Sequence, residues 1–207
     1  MAEQINAATG GVNERKRVLF IVTQSEWGGA QQFLYRLVSG LDKQHFNVLV
    51  VVGRDGDGTL IAKLRGIVPT ITLRHLQREP GIFSDLAAVR EIRQLIRSWQ
   101  PDTLFLNSSK AGFIGALAAR WWPAPLSKLR VIYRVGGWAF NDPRGKAENM
   151  LYRLFEKISA RWKDIIILNN QHDVKQAHTL KIRPRERIEL VYNGIDPYKM
   201  DFIPRTE

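Results

Sequence analysis

The sequence has no cysteine. That excludes disulfide scaffolds, zinc ribbons, iron–sulfur clusters and thiol catalysis, and it fits a reducing compartment. No apolar run reaches the roughly 18 residues of a membrane-spanning helix. The opening "MAEQINAATGGVNERKR" lacks the apolar stretch of a secretory leader, so residues 1–15 are expected to form a loose polar tail and the chain to be cytoplasmic. Neither G-x-G-x-x-G nor G-x-x-x-x-G-K-[ST] occurs, which removes the dinucleotide and P-loop fingerprints. His45, His75, His172 and His178 do not pair at metal-ligand spacing, so no metal is expected. No Ser/His/Asp arrangement is evident, and no catalytic residue is assigned.

Acidic residues are also in deficit. Thirty-one Lys and Arg stand against 20 Asp and Glu, giving a net charge of +11. Such a field favours polyanions: nucleic acid, an acidic membrane surface or phosphorylated ligands. From Lys110 to Arg134 there are five basic residues and no acid, with Trp121-Trp122-Pro123 between them. Arg90, Arg93 and Arg97 share the polar side of a neighbouring helical stretch. Basic groups beside tryptophans suit an acidic membrane surface on the inner face of a membrane. A solvated helix face is the bland alternative. No nucleic-acid module is recognisable, so no specific nucleic-acid partner is expected.

What is present is a rhythm. The chain is 44% hydrophobic over 207 residues, enough for one packed domain. Short β-branched runs at 17–23, 47–53, 68–73, 103–107, 130–135, 164–168 and 188–192 read as buried strands. Helical stretches lie between them. Residues 30–41 place Phe33, Leu34, Leu37, Val38 and Leu41 on one face. Ser84–Trp99 carries a stripe from Leu86 to Trp99, with Ser84 as expected N-cap and Pro101 as stop. Residues 148–162 are expected to turn Leu151, Leu154, Phe155, Ile158 and Trp162 inward. The alternation predicts an α/β fold: a Rossmann-like, doubly wound parallel sheet of about seven strands with helices on both faces.

In such sheets ligands bind beyond the carboxyl ends of the strands. Gly28-Gly29 opens a helix there, and helix-terminal amides suit an anion. On local grounds a tight turn and a phosphate seat stay equally open. Gly136-Gly137 repeats the device in "YRVGGWAFNDPRGK", where Trp138, Asn141 and Asp142 gather beside Arg134 and Arg144. Ordinary turn chemistry is the alternative. In "NSSKAG", Ser108, Ser109 and Lys110 suit an anion or a sugar hydroxyl. Capping by Ser109 needs no ligand.

Taken in order, these loops resemble the N-terminal half of the GT-B retaining glycosyltransferases of family 4. The matching stretches are "GGAQ", "SSKAG", "GGWAFND", "EKISARWKDIIILNN" and "VYNGID", over residues 16–203. The resemblance implies a donor-phosphate cleft at Gly28, Gly29, Gly136 and Gly137. It implies acceptor contacts at Ser108, Ser109, Lys110, Trp138, Asn141 and Asp142. Asn193, Gly194 and Asp196 would lead from a domain at 16–196 into an interdomain linker at 197–207. The implied partners are a nucleotide-sugar donor and a glycan or lipid-linked acceptor in cell-envelope polysaccharide synthesis, with no cofactor. Gly136 stands where many relatives carry histidine, so that histidine's role is not carried over. The family's C-terminal nucleotide-sugar domain, with its E-x-x-x-x-x-x-x-E carboxylates, is not in this sequence. A stand-alone, non-catalytic module on an acidic membrane or other polyanion is the competing expectation.

Overall fold

The computed structural model describes residues 15–120, 129–143 and 145–194. In chain order the elements are β1 (Lys16–Gln24), α1 (Gly29–Gly40), β2 (Phe46–Asp55), α2 (Thr59–Leu64) and β3 (Thr70–Thr72). Then come α3 (Ile82–Trp99), β4 (Thr103–Leu106), α4 (Ser109–Arg120) and β5 (Arg130–Val135). A 3-10 turn at Ala139–Asn141, α5 (Lys146–Ala160), β6 (Ile165–Leu168), α6 (Gln171–Thr179) and β7 (Arg187–Leu190) complete it. All seven strands run parallel, in the order β3-β2-β1-β4-β5-β6-β7. The expected Rossmann-like fold is present.

Continuous apolar strands are what a sheet covered on both faces requires. β1 shows the logic. Val18, Phe20 and Val22 pack with Leu34 and Val38 of α1 and Leu60 and Leu64 of α2. Leu19 and Ile21 face the other layer, built from α3, α4 and parts of α5 and α6. β1 pairs with both β2 and β4, so the strand order reverses there and a crevice opens at their carboxyl ends. Gly53 and Gly112 show why some crossings admit only glycine. A Cβ on Gly53 would sit 2.1 Å from the Thr23 carbonyl oxygen, at the shift in β1–β2 register. A Cβ on Gly112 would sit 2.5 Å from the Tyr133 ring, so α4 can cross β5 only at a residue without one.

Two expectations are corrected. α3 begins at Ile82 behind Gly81, and Ser84 is inside the helix, donating to the Gly81 carbonyl at 2.9 Å. The larger correction concerns α5. Leu151, Leu154 and Ile158 are 47, 50 and 44% exposed, not inward, whereas the Phe155 and Trp162 rings pack on Phe113 at 5.2 and 5.7 Å. Its buried face holds Glu156, Ser159 and Ala160. That face can be polar because Tyr133 and Lys163 supply buried partners for it. Among the described residues no helix is long and apolar enough to cross a membrane.

Candidate functional site

The ends of β1 and β4 are tied side chain to side chain. Thr23 Oγ1 and Ser108 Oγ lie 2.6 Å apart. Ser108 Oγ also accepts from the backbone amides of Thr23 and Ala111, each at 3.3 Å. Ser108 thus caps α4, the role expected of Ser109, which is instead the first residue of the helix. Buried Asn107 donates to the Ala30 carbonyl at 2.6 Å, fixing the first turn of α1 against β4. Gln31 Nε2 donates to the Gln24 carbonyl at 3.0 Å, pinning the same turn to β1. α1 starts at Gly29, and no side chain caps its leading amides. Those amides and the positive helix end are the groups an anion would meet. A Cβ on Gly29 would touch nothing within 4 Å, so the space above it is open. A Cβ on Gly28 would come 3.1 Å from Gln31 Oε1.

Beside this turn lies a cavity of about 300 Å³. Ser108, Ser109, Lys110 and Asp142 line it, together with Thr23, Gln24, Arg78, Asp85, Tyr152, Glu156 and Ser159. Four of the six residues expected to hold an acceptor therefore meet in one place. Lys110 Nζ stands 2.7 Å from Asp85 Oδ1 and donates to the Glu79 carbonyl, so α3 fixes its position and offsets its charge.

One wall of the cavity was not foreseen. Glu156 Oε1 accepts from the Tyr133 hydroxyl at 2.9 Å, and Oε2 accepts from Lys163 Nζ at 3.1 Å. Lys163 Nζ also donates to Ser159 Oγ at 3.0 Å and lies 3.9 Å from the centre of the Tyr133 ring. Burial lowers the Lys163 pKa, against the pull of Glu156. Burial, then the Glu156 charge, raises the Tyr133 phenol well above its ordinary range. The signal available in the sequence was Tyr152, Glu156 and Ser159 at helical spacing.

The other expected residues have different settings. Trp138 is 1% exposed, stacks on Phe140 at 5.3 Å and donates Nε1–H to the Asp173 carbonyl at 3.1 Å. Asn141 exchanges two hydrogen bonds with Gln176, at 2.8 and 3.1 Å. Both fasten the loop after β5 to α6, and neither lines the cavity. Gly136 and Gly137 are exposed at the head of that loop. A Cβ on Gly136 would lie 2.9 Å from Arg134 Nη1. The Arg134 guanidinium sits 4.1 Å from the Phe33 ring centre in α1 and donates to Asn193 Oδ1 at 3.0 Å. Arg36 Nη1 donates to the Gly194 carbonyl at 3.4 Å. Arg134 thereby brings α1, Gly136 and Asn193 into one corner. Trp121, Trp122, Arg144 and Asp196 lie outside the described residues. Among the described residues no group of three His, Asp or Glu is placed to hold a metal ion.

Residues 27–199 match the family model described as Glycosyltransferase Family 4. The chain belongs to this family. As a family 4 glycosyltransferase domain it is similar to the UDP-Gal:alpha-D-GlcNAc-diphosphoundecaprenol alpha-1,3-galactosyltransferase of Escherichia coli. They are 24% identical over 169 residues, which is 81% of this chain and 42% of the relative. It is also similar to the O-antigen biosynthesis glycosyltransferase WbnH of Escherichia coli. That identity is 27% over 166 residues, covering 78% of this chain and 44% of the relative. The family 4 chain thus spans less than half the length of these relatives. Its fold is that of Anabaena HepE, solved in complex with UDP and glucose. The TM-score is 0.66 at 20% identity, over 88% of this chain and 45% of that one. Sucrose-phosphate synthase of Thermosynechococcus elongatus gives a TM-score of 0.67 at 12% identity, over 88% and 49% of the two chains. The chain has the fold of the N-terminal domain of a GT-B glycosyltransferase.

Proposed function

We propose that this domain is the acceptor side of a transferase that moves a sugar from a nucleotide-sugar to a hydroxyl of a glycan or lipid-linked acceptor, with retention at the anomeric carbon. One observation carries the reading. A cavity lined by Ser108, Ser109, Lys110 and Asp142 and the uncapped start of α1 both lie at the carboxyl ends of β1 and β4, where the strand order reverses. The amides at Gly28 and Gly29 face the leaving diphosphate. Ser108, Ser109 and Asp142 position the attacking hydroxyl, and Lys110 holds that wall through Asp85. Gly136 and Gly137 keep the corner beside Arg134 free of side chains. Trp138 and Asn141 fix the loop that carries Asp142. Asn193 and Gly194 lead out of the domain. The donor is a substrate, and no resident metal or cofactor enters the scheme. Catalysis of this kind is positioning plus stabilisation of developing negative charge by oriented donors.

The test is a transferase assay on the complete reading frame that carries this chain. It uses a panel of UDP-sugars with soluble glycan and polyprenyl-diphosphate-linked acceptors. Ser109→Ala and Asp142→Ala are expected to raise the acceptor KM and leave the donor KM unchanged. NMR of the product should show the anomeric configuration of the donor. An inverted product overturns the retaining mechanism. Absence of transfer with every donor overturns the whole reading.

A further inference from the structure

The outward face of α5 is apolar where water would be expected. Met150 is 70% exposed, and Leu151, Leu154 and Ile158 are each at least 44% exposed. Positions 150, 154 and 158 are four apart, so with Leu151 beside them they form one stripe about 12 Å long. Beside it runs a groove of about 700 Å³. Its walls are Leu129, Val131, Leu154, Ile158 and Trp162. Arg120, Lys157, Arg161 and Arg185 stand around it, and among the described residues no acidic residue lines it. Arg120 lies over the Trp162 ring at 5.3 Å, and Arg185 is 3.6 Å from Asp164. Among the described residues Lys157 and Arg161 have no acidic partner.

We propose that the outward face of α5, with this groove, docks on an anionic lipid bilayer. The chemistry selects the occupant. A bilayer surface offers an acyl layer for the stripe and phosphates for the cations at the same depth. The net charge of +11 adds long-range attraction toward such a surface. This surface overlaps the 110–134 run that the sequence suggested, through Arg120, Leu129 and Val131, and adds the outward face of α5 to it. It stands independently of the transferase reading. It has a consequence for the cavity, because the inner face of α5 contributes Tyr152, Phe155, Glu156 and Ser159 to that wall. One helix then lies against lipid on one side and lines the cavity on the other.

The experiment is co-sedimentation of the full chain with vesicles of phosphatidylcholine, with or without phosphatidylglycerol, at low and high salt. Binding is expected only with the anionic vesicles, weakening as salt rises. Lys157→Glu with Arg161→Glu should weaken it about ten-fold or more. Leu154→Glu with Ile158→Glu should bring it to the level of neutral vesicles. Circular dichroism shows whether each variant is folded. Because the chain has no cysteine, Met150→Cys can carry a single environment-sensitive dye. That dye should shift to the blue on anionic vesicles, a readout that needs no disruptive substitution. The proposal is overturned by absence of binding, by folded variants that bind as the wild type does, or by a dye that does not shift. It is also overturned by a vesicle-free dimer that Leu154→Glu dissolves, since a second copy then covers the stripe.

Discussion

At Gly29 the absence of a side chain is not demanded by the protein itself. A Cβ there meets nothing within 4 Å, and alanine is the better helix former by up to about 1 kcal/mol. Gly29→Ala is therefore expected to leave the melting temperature unchanged or raise it. In the complete transferase it should lower kcat/KM at least about ten-fold, because the methyl group enters the space given to the diphosphate. Unchanged activity would return Gly29 to the status of a simple turn residue. Tyr133 yields a test in pH. Its phenol is held protonated by burial and by Glu156, while a tyrosine in the unfolded chain ionises near pH 10. Above about pH 10 the folded chain keeps a proton that the unfolded chain loses, so stability falls as pH rises. Lys163 acts with the opposite sign, since burial lowers its pKa. Comparing wild type with Tyr133→Phe largely cancels that contribution. Urea unfolding across pH 9–11 should show a shallower alkaline loss in Tyr133→Phe, and equal slopes would refute the assignment. At this scale the sequence was a partial guide. Trp138 looked like a binding group because it is a large aromatic in a glycine loop. Its indole N–H finds the Asp173 carbonyl 35 residues later, a contact that no local pattern announces.

Among the elements, the helices were legible wherever an apolar stripe faces the sheet. α3 buries Val89, Ile92, Leu95, Ile96 and Trp99, as the periodicity indicates. α5 has an equally regular stripe and turns Leu151, Leu154 and Ile158 of it outward, while Phe155 and Trp162 pack on Phe113. Periodicity reports that a helix is two-faced, not which face is inside, and here a buried charge pair reverses the usual answer. The anchor of α5 is the contact of Glu156 with Tyr133 and Lys163. Glu156→Ala strands the buried Lys163 ammonium and should cost about 3–5 kcal/mol. Leu154→Gln, on the outer face of the same helix, should cost no more than about 0.5 kcal/mol. Chemical denaturation of both variants checks the order. A leucine that proves costlier than the glutamate would mean that the stripe is covered in the folded chain.

For the molecule as a whole, strand–helix alternation was enough to foresee a parallel sheet, because each parallel step requires a crossover. It did not fix the order of strands. That order, reversing between β1 and β4, is what joins "GGAQ" to "NSSKAG" through Thr23, Asn107 and Ser108. The cavity was therefore legible as a set of loops, but the Glu156 wall was not, since it depends on the orientation of α5. The same topology bears on what the domain does alone. One sheet edge carries the uncapped start of α1 and the cavity at α4, both on one side of the cleft that the proposed function requires. A diphosphate resting on α1 amides is held at one end only. Orienting two substrates for reaction contributes about 7–11 kcal/mol, and that needs the reacting sugar fixed as well. The 207-residue chain by itself is thus expected to release no nucleoside diphosphate from UDP-sugars above the uncatalysed rate. A coupled UDP-release assay, with purified chain and acceptor, measures this directly. Sustained turnover would show that the donor sugar is positioned within these residues, and the division of labour proposed for the two sides of the cleft would have to be abandoned.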